Sequence, residues 1–228
     1  MTETTPVVVF DFDLTLTRWD MSDGFFRWLM RRNRWRRAVL LLSFPLTGWL
    51  LPLCRTRKHF IRFVIWLATL GHDRDALPEL AEQYLRSLPE GHASALLPVA
   101  LERVQWHLDQ GHQVVVATGC LESLARALLT HAGFAHVPLV ASTLRPFMGG
   151  LVSEQHCFAR NKVRMLAARG FAPPWAAAYT DHHVDLPLLE QSDECYLVSP
   201  TPESLDRIRR ILPVEATILA WRQPDETM

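Results

Sequence analysis

Four apolar residues, Val7-Val8-Val9-Phe10, run directly into Asp11, with Asp13 and Thr15 following at alternate positions. The run has no polar alternation, so it reads as a strand buried on both faces, at the centre of a parallel sheet. Ligands of such sheets bind at the carboxyl ends of the strands. The run therefore carries two carboxylates, one residue apart, to a place where chemistry is done. Two anions this close repel each other unless a cation or a shared proton accompanies them. The competing reading is a turn whose aspartates cap a following helix. The rest of the chain decides between the two.

Three further segments have the same form, an apolar strand ending in chemistry-bearing residues. Gln113-Val-Val-Val-Ala-Thr118-Gly119-Cys120 leads into a helix expected over 121–129. A hydroxyl, a glycine and a helix N-terminus make a phosphate site, although Thr as a plain N-cap is common. A third strand is expected over 137–143, with a turn at Gly149-Gly150 and a short returning strand at Leu151-Val152. The helix from Asn161 to Arg169 stops at Gly170 and carries Lys162 in its first turn. A cation there opposes the helix dipole, and such a lysine usually faces solvent. Trp175-Ala-Ala-Ala-Tyr179-Thr180 then runs into Asp181-His182-His183-Val184-Asp185. Two histidines beside two aspartates raise the possibility of zinc. A fifth strand is read at Cys195–Val198 and a last helix from Ser204 to Leu212.

Between the first and second segments the chain changes character. From Arg18 to Arg62 there are eleven basic and two acidic residues, in a chain whose net charge is zero. Five of the eight tryptophans lie between Trp19 and Trp66. The cluster Arg31-Arg32-Asn33-Arg34-Trp35-Arg36-Arg37 precedes an apolar run from Ala38 to Cys54 that contains Pro45, Gly48 and Pro52. A spanning helix needs ~20 apolar residues, so this run is marginal for one crossing. One crossing would also put Asp11 and the later segments on opposite sides of the bilayer, and basic flanks at both ends favour one side. Phe25 to Leu70 thus reads as an interfacial or re-entrant membrane-docking insertion, with Trp and Arg at the headgroups. The alternative is a helical cap buried on its own domain or on a second subunit. A helical pattern follows at Leu77, Leu80, Tyr84, Leu85 and Leu88, and another from Ala95 to Gln110, ending at Gly111.

An apolar content of 49% with 21% charged residues excludes a disordered chain. The cysteines at 54, 120, 157 and 195 form no C-x-x-C pair, which fits a reducing compartment and no disulfide framework. Residues 2–6 have no secretory pattern, and no nucleic-acid motif occurs.

In this order, Asp11-Phe-Asp13-Leu-Thr15, Thr118-Gly119, Lys162 and Thr180-Asp181-x-x-x-Asp185 resemble the four motifs of the haloacid dehalogenase superfamily phosphatases, in their phosphoserine-phosphatase-like subclass. The resemblance covers residues 6–20 and 110–200. It implies an α/β fold, a doubly wound parallel sheet of Rossmann-like type, formed by residues 1–17 and 106–228. An α-helical cap would occupy 18–105. It implies Asp11 as nucleophile, Asp13 as general acid and base, and Thr118, Gly119 and Lys162 on the phosphoryl oxygens. Mg2+ would be held by Asp11, Asp13 and Asp181, with Asp185 behind them; that role for the acids makes zinc the weaker reading. Asp20 falls where phosphoserine phosphatases bind the substrate amine, and it equally suits a lipid glycerol hydroxyl or the cap of a helix from Ser22. His182 departs from the pattern, which has a small residue there. Asp20-Met21, the aromatic and arginine-rich helix, the broken apolar run and Trp66–His72 look like the membrane-associated phosphatidylglycerophosphatase branch. That likeness implies a phospholipid substrate, an anionic membrane surface, the cytoplasmic face of the bacterial inner membrane, and neither nucleic acid nor an obligate protein partner. A soluble phosphatase of phosphoserine or another small monoester remains open. So does a non-catalytic membrane- or partner-binding protein on the same fold.

Overall fold

The computed structural model describes residues 5–47, 54–212 and 215–222, and the side chains of 5–43, 59–212 and 215–222. Residues 48–53 of the apolar run, with Trp49 and Pro52, lie outside the described residues. The sheet has strands β1 (Val7–Phe10), β2 (Gln113–Leu121), β3 (Leu139–Phe147), β4 (Gly150–Gln155), β5 (Trp175–Thr180), β6 (Ser192–Val198) and β7 (Thr217–Leu219). Their order is β4-β3-β2-β1-β5-β6-β7, and every neighbouring pair is parallel except the β3–β4 hairpin. β1 is central: Val8 lies opposite Val114 and Ala177, and Phe10 opposite Val116 and Tyr179. The chain builds outward through β2 and β3, then returns to build the other side from β5. The crevice at such a reversal is where ligands of open α/β sheets bind.

The helices are α1 (Met21–Arg31), α2 (Arg34–Thr47), α3 (Cys54–Thr69), α4 (Leu77–Ser87), α5 (Pro98–Asp109), α6 (Glu122–His131), α7 (Arg160–Ala168), α8 (Leu186–Leu189) and α9 (Pro202–Ile211). Strand alternation sorts the core into two layers. Val8, Phe10, Val114, Val116 and Tyr179 face a core shared with α1, α4, α5 and α6, and Val9, Val115, Ala117 and Ala178 face Leu166, Leu188 and Ile208 of α7, α8 and α9. Both faces of the central strand are dry, so each fully buried side chain contributes ~1.5–3 kcal/mol. The uninterrupted Val-Val-Val-Phe run follows from that. The architecture is the expected doubly wound, mostly parallel sheet. It differs in detail from the sequence reading: β3 starts two residues later, and α5 begins at Pro98, the usual first helical position for proline. A 3-10 turn, His92–Ala95, precedes α5. β7 was not anticipated, because three residues give no periodicity to read.

Among the described residues the helices between β1 and β2, α1 to α5, are fastened to the sheet. α1 buries Met21, Phe25, Leu29 and Met30, and Phe25 meets the Tyr84 ring of α4 edge-on at 5.7 Å. The end of α3 lies on the β3–β4 hairpin. Trp66 Nε1 donates to the Met148 carbonyl at 3.2 Å, the Leu151 amide to Thr69 Oγ1 at 2.9 Å, and the Gly71 amide to the Gly149 carbonyl at 2.7 Å. A Cβ at Gly150 would stand 2.8 Å from the Trp66 carbonyl, so only glycine permits this approach. Among the described residues no helix is long and apolar enough to cross a membrane.

One member of the arginine cluster is not a surface residue. Arg36 is 6% exposed; its Nη1 donates to the Ala68 carbonyl at 2.8 Å and its Nη2 to the Leu70 carbonyl. These carbonyls close the end of α3, where a helix lacks internal partners and favours a cation. Arg36→Ala should cost ~2–4 kcal/mol, since two charge-assisted bonds are lost and buried carbonyls are orphaned. Urea denaturation checks it; a loss under ~0.5 kcal/mol, the level of an ordinary surface change, would contradict the capping role.

Candidate active site

Asp11, Thr118 and Asp181 stand together at the carboxyl ends of β1, β2 and β5. The Asp11 amide still donates across the sheet to the Tyr179 carbonyl at 2.9 Å, so its backbone is held by the ladder. Its Oδ1 accepts the Phe12 amide at 2.8 Å. The next residues wind tightly. The amides of Thr15, Leu16 and Thr17 all point at the Phe12 carbonyl, and Leu14 takes a left-handed φ of 60°. Strained backbone of this kind clusters at functional sites. Asp13 Oδ1 accepts the Met21 amide at 2.9 Å, tying the motif to the first turn of α1. Asp20 is exposed and accepts the Asp23 amide at 2.8 Å, so in this structure it caps α1.

Lys162 is 3% exposed, against the surface position that its place in a first helical turn suggests. Its Nζ stands 3.0 Å from Asp11 Oδ1 and 2.6 Å from Asp185 Oδ2. Thr180 Oγ1 donates to the same Asp185 oxygen at 2.9 Å. Asp185 therefore holds Lys162 against Asp11. α7, which carries the lysine, starts from Ala159 in another left-handed conformation, φ 50°.

Thr118 is fully buried, and its Oγ1 accepts the Cys120 amide at 2.9 Å. β2 continues through an irregularity to Leu121, and α6 starts at Glu122, so Gly119 lies in this bulged segment ahead of the helix. Ser22 of α1 crosses to this segment: its Oγ accepts the Leu121 amide at 3.0 Å and donates to Cys120 Sγ at 3.3 Å. A Cβ at Gly119 would meet only ordinary contacts, with the Cys157 carbonyl at 3.7 Å and with His156 and Phe158 ring atoms at 3.9 Å. Those two exposed rings stack at 5.1 Å and 4°, forming one wall beside Gly119. His156 and Phe158 escaped the sequence reading, and Ser22 entered it only as the start of a helix. The only trace of the two rings is their alternation around Cys157, which is anchored by Ser142 Oγ at 3.0 Å.

The electrostatics follow from crowding of acids out of water. Burial pushes the Asp11 carboxyl up to about 8; the Lys162 ammonium opposes this, and Asp185 and Asp181 add to it. Burial also holds Asp13 well above the usual carboxylate range, with the Asp20 carboxylate adding. Asp181 is raised to about 6 by burial, against the pull of the Arg222 guanidinium. Burial draws Lys162 down, but Asp11 and Asp185 outweigh it and the ammonium stays charged. A cluster of hard oxygen donors with uncompensated negative charge suits Mg2+. Among the described residues no three His, Cys, Asp or Glu side chains close around one point. Asp11 and Asp181, at the ends of adjacent strands, are the carboxylates that would hold the ion, while Asp185 Oδ2 is engaged by Lys162 and Thr180. The two histidines are engaged elsewhere. His182 Nδ1 accepts the Val184 amide at 3.1 Å, and His183 bonds Ser204 Oγ and Arg207 at 3.1 and 3.0 Å.

The haloacid dehalogenase-like hydrolase family matches residues 8–190, which include every residue of this site except Arg222. The chain belongs to that family, and its sheet with flanking helices is the family's Rossmann-like core. Among solved structures, a protein of unknown function from Bordetella pertussis Tohama I shares 21% identity at a TM-score of 0.69, over 96% of this chain and 100% of that one. A phosphoserine phosphatase, solved as an analogue of its phospho-aspartyl intermediate, is 14% identical at a TM-score of 0.59, over 97% and 95%. Cytosolic 5'-nucleotidase IIIB bound to cytidine is 14% identical at 0.58, over 94% and 79%. At these identities the likeness concerns the fold.

Proposed function

We propose that this chain is a magnesium-dependent phosphomonoester hydrolase that works through an aspartyl-phosphate on a lipid-borne phosphate, converting phosphatidylglycerophosphate to phosphatidylglycerol. In this reading residues 1–17 and 106–228 belong to the phosphatase core and 18–105 to the docking insertion, a boundary that falls within α5. In the first step an Asp11 oxygen attacks phosphorus, the ester P–O bond breaks with its electron pair going to the leaving alkoxide, and Asp13 supplies that alkoxide with a proton. In the second, water attacks the acyl phosphate, Asp13 takes the water proton, and Asp11 is released with inorganic phosphate. Burial favours on Asp13 the protonated form the first step needs. Asp11, raised to about 8 without metal, has to ionise to attack, which the Lys162 ammonium favours and magnesium would favour when bound. The Thr118 hydroxyl, the Gly119 amide and Lys162 hold the phosphoryl oxygens. Magnesium, when bound, supplies charge neutralisation at the transferring group.

The observation that carries the lipid reading is the outer face of α2. Leu41 and Leu42 are 72% and 76% exposed, Trp35 and Val39 are exposed beside them, and Arg34 and Arg37 lie exposed within the same helix. Apolar residues rimmed by arginines suit an anionic bilayer surface, at ~1 kcal/mol per nearby basic residue. The protein would then work on the cytoplasmic face of the bacterial inner membrane, with no nucleic acid and no obligate protein partner. A soluble ester such as phosphoserine is the second reading, favoured by the fold likeness to phosphoserine phosphatase. Phosphate release with Mg2+ distinguishes them. Phosphatidylglycerophosphate in mixed micelles is expected to exceed phosphoserine and glycerol 3-phosphate by about a hundredfold or more in kcat/KM, ~3 kcal/mol of transition-state binding. Equal rates would leave the insertion as a packing surface and only the general phosphatase chemistry standing.

A further inference from the structure

Arg222 reaches the site from outside the segment that matches the family. β7 lies at the sheet edge, and the chain after it folds back on Ser199. The Ser199 amide donates to the Leu219 carbonyl at 2.8 Å, and Ser199 Oγ accepts the amides of Trp221 and Arg222, each at 3.0 Å. Ser199 holds a left-handed φ of 42°, rare for a residue with a Cβ. The Trp221 ring stacks toward Tyr179 of β5 at 6.0 Å and 16°. Arg222 Nη2 donates to the Ser199 carbonyl at 2.8 Å and stands 3.9 Å from Asp181 Oδ2, with both side chains under a tenth exposed. A strained serine and a stacked tryptophan thus hold the guanidinium beside one carboxylate.

We infer that Arg222 is a positioning residue that shares Asp181 with the divalent cation and sets how tightly the site takes it. The inference rests on the proposed reading of Asp181 as a cation ligand. A guanidinium cannot shed its charge, and its place beside a ligand oxygen opposes a second positive charge there. The site is therefore built to hold its cation weakly and to keep Asp181 paired when the cation is absent. No family motif supplies this cation; the chain's own C-terminal segment does.

Magnesium titration calorimetry on the full chain tests this, without reference to turnover. Arg222→Gln keeps a donor for the Ser199 carbonyl and removes the charge, so Kd for Mg2+ is expected to fall roughly tenfold. Arg222→Lys keeps the charge and should stay near wild type. Ser199→Ala cuts the tether to the Trp221 and Arg222 amides and should tighten binding in the same direction by a smaller factor, which decides the matter if Arg222→Gln does not fold. Unchanged or weaker binding in the folded Arg222→Gln or Ser199→Ala protein, beside a wild type that binds Mg2+ and an Asp181→Asn variant that does not, would overturn this inference alone. A wild type that takes no magnesium would overturn the functional reading along with it.

Discussion

Asp11→Asn is expected to abolish turnover while making the metal-free protein more stable. An amide cannot form the acyl phosphate, so kcat should fall about a thousandfold or more, ~4 kcal/mol of barrier. The fold loses little, because the Asn side-chain oxygen still accepts the Phe12 amide. It gains because a carboxylate raised chiefly by its burial, and further by Asp185 and Asp181, is gone. Asp11 sits at about 8 in the fold against an ordinary 3.8, so between those values the native state binds a proton that the unfolded chain does not. Its contribution is then most favourable below the ordinary value and declines as pH rises toward 8. Wild-type protein without metal should lose melting temperature across that window, and the Asn variant should lose less, since only the raised Asp13 and Asp181 remain to it. At pH 8 the variant is expected to melt roughly 5 °C higher, with the gap closing near pH 4. Full activity in the variant would remove Asp11 from the nucleophile's role. A lower melting point at pH 8 would mean that the Lys162 pairing outweighs the cost of burying the carboxylate.

Lys162→Met should damage both chemistry and fold. The ammonium lies between Asp11 and Asp185 at 3.0 and 2.6 Å, all but excluded from water. Removing it takes a cation from the phosphoryl group, expected to lower kcat about a hundred- to a thousandfold. It also leaves two buried carboxylates without their counter-ion, a loss of ~3–5 kcal/mol at pH 8. At pH 5 the loss should shrink, because Asp11, already raised to about 8 with the ammonium in place, is then protonated. Adding Asp11→Asn to Lys162→Met should restore part of the stability and none of the activity. Urea denaturation at both pH values checks this, and a loss independent of pH would show that Lys162 contributes packing alone.

The central sheet and the acid-bearing loops were legible because burial on both faces leaves an unbroken apolar run, and each run here ends in functional residues. Val7–Phe10 and Trp175–Thr180 carry that signature fully. Lys162 was legible only through resemblance, since nothing local distinguishes a buried lysine in a first helical turn from a solvated one. Arg36 shows the converse. Within a row of arginines the sequence suggests a solvated or headgroup face, yet this one caps α3 because α2 and α3 pack side by side, a tertiary fact. Ser22, the His156–Phe158 wall and Arg222 depend on contacts between segments far apart in the chain, with no periodicity or spacing to mark them.

α3 is fastened to the β3–β4 hairpin through Trp66, Thr69 and Gly71, and Ser22 holds α1 to the segment after Gly119, so the described part of the insertion is bonded to the core at two places, like a visor. Lifting it would break these bonds and expose the ring of Phe25 and its neighbours. A substrate would, on the proposed reading, slide beneath this rim. On the proposed reading, the exposed face of α2 keeps a constant height and tilt relative to Asp11. Seating that face on a bilayer would fix the depth at which the nucleophile meets a phosphate, so that the protein gauges its substrate's distance from the lipid plane by its own rigidity.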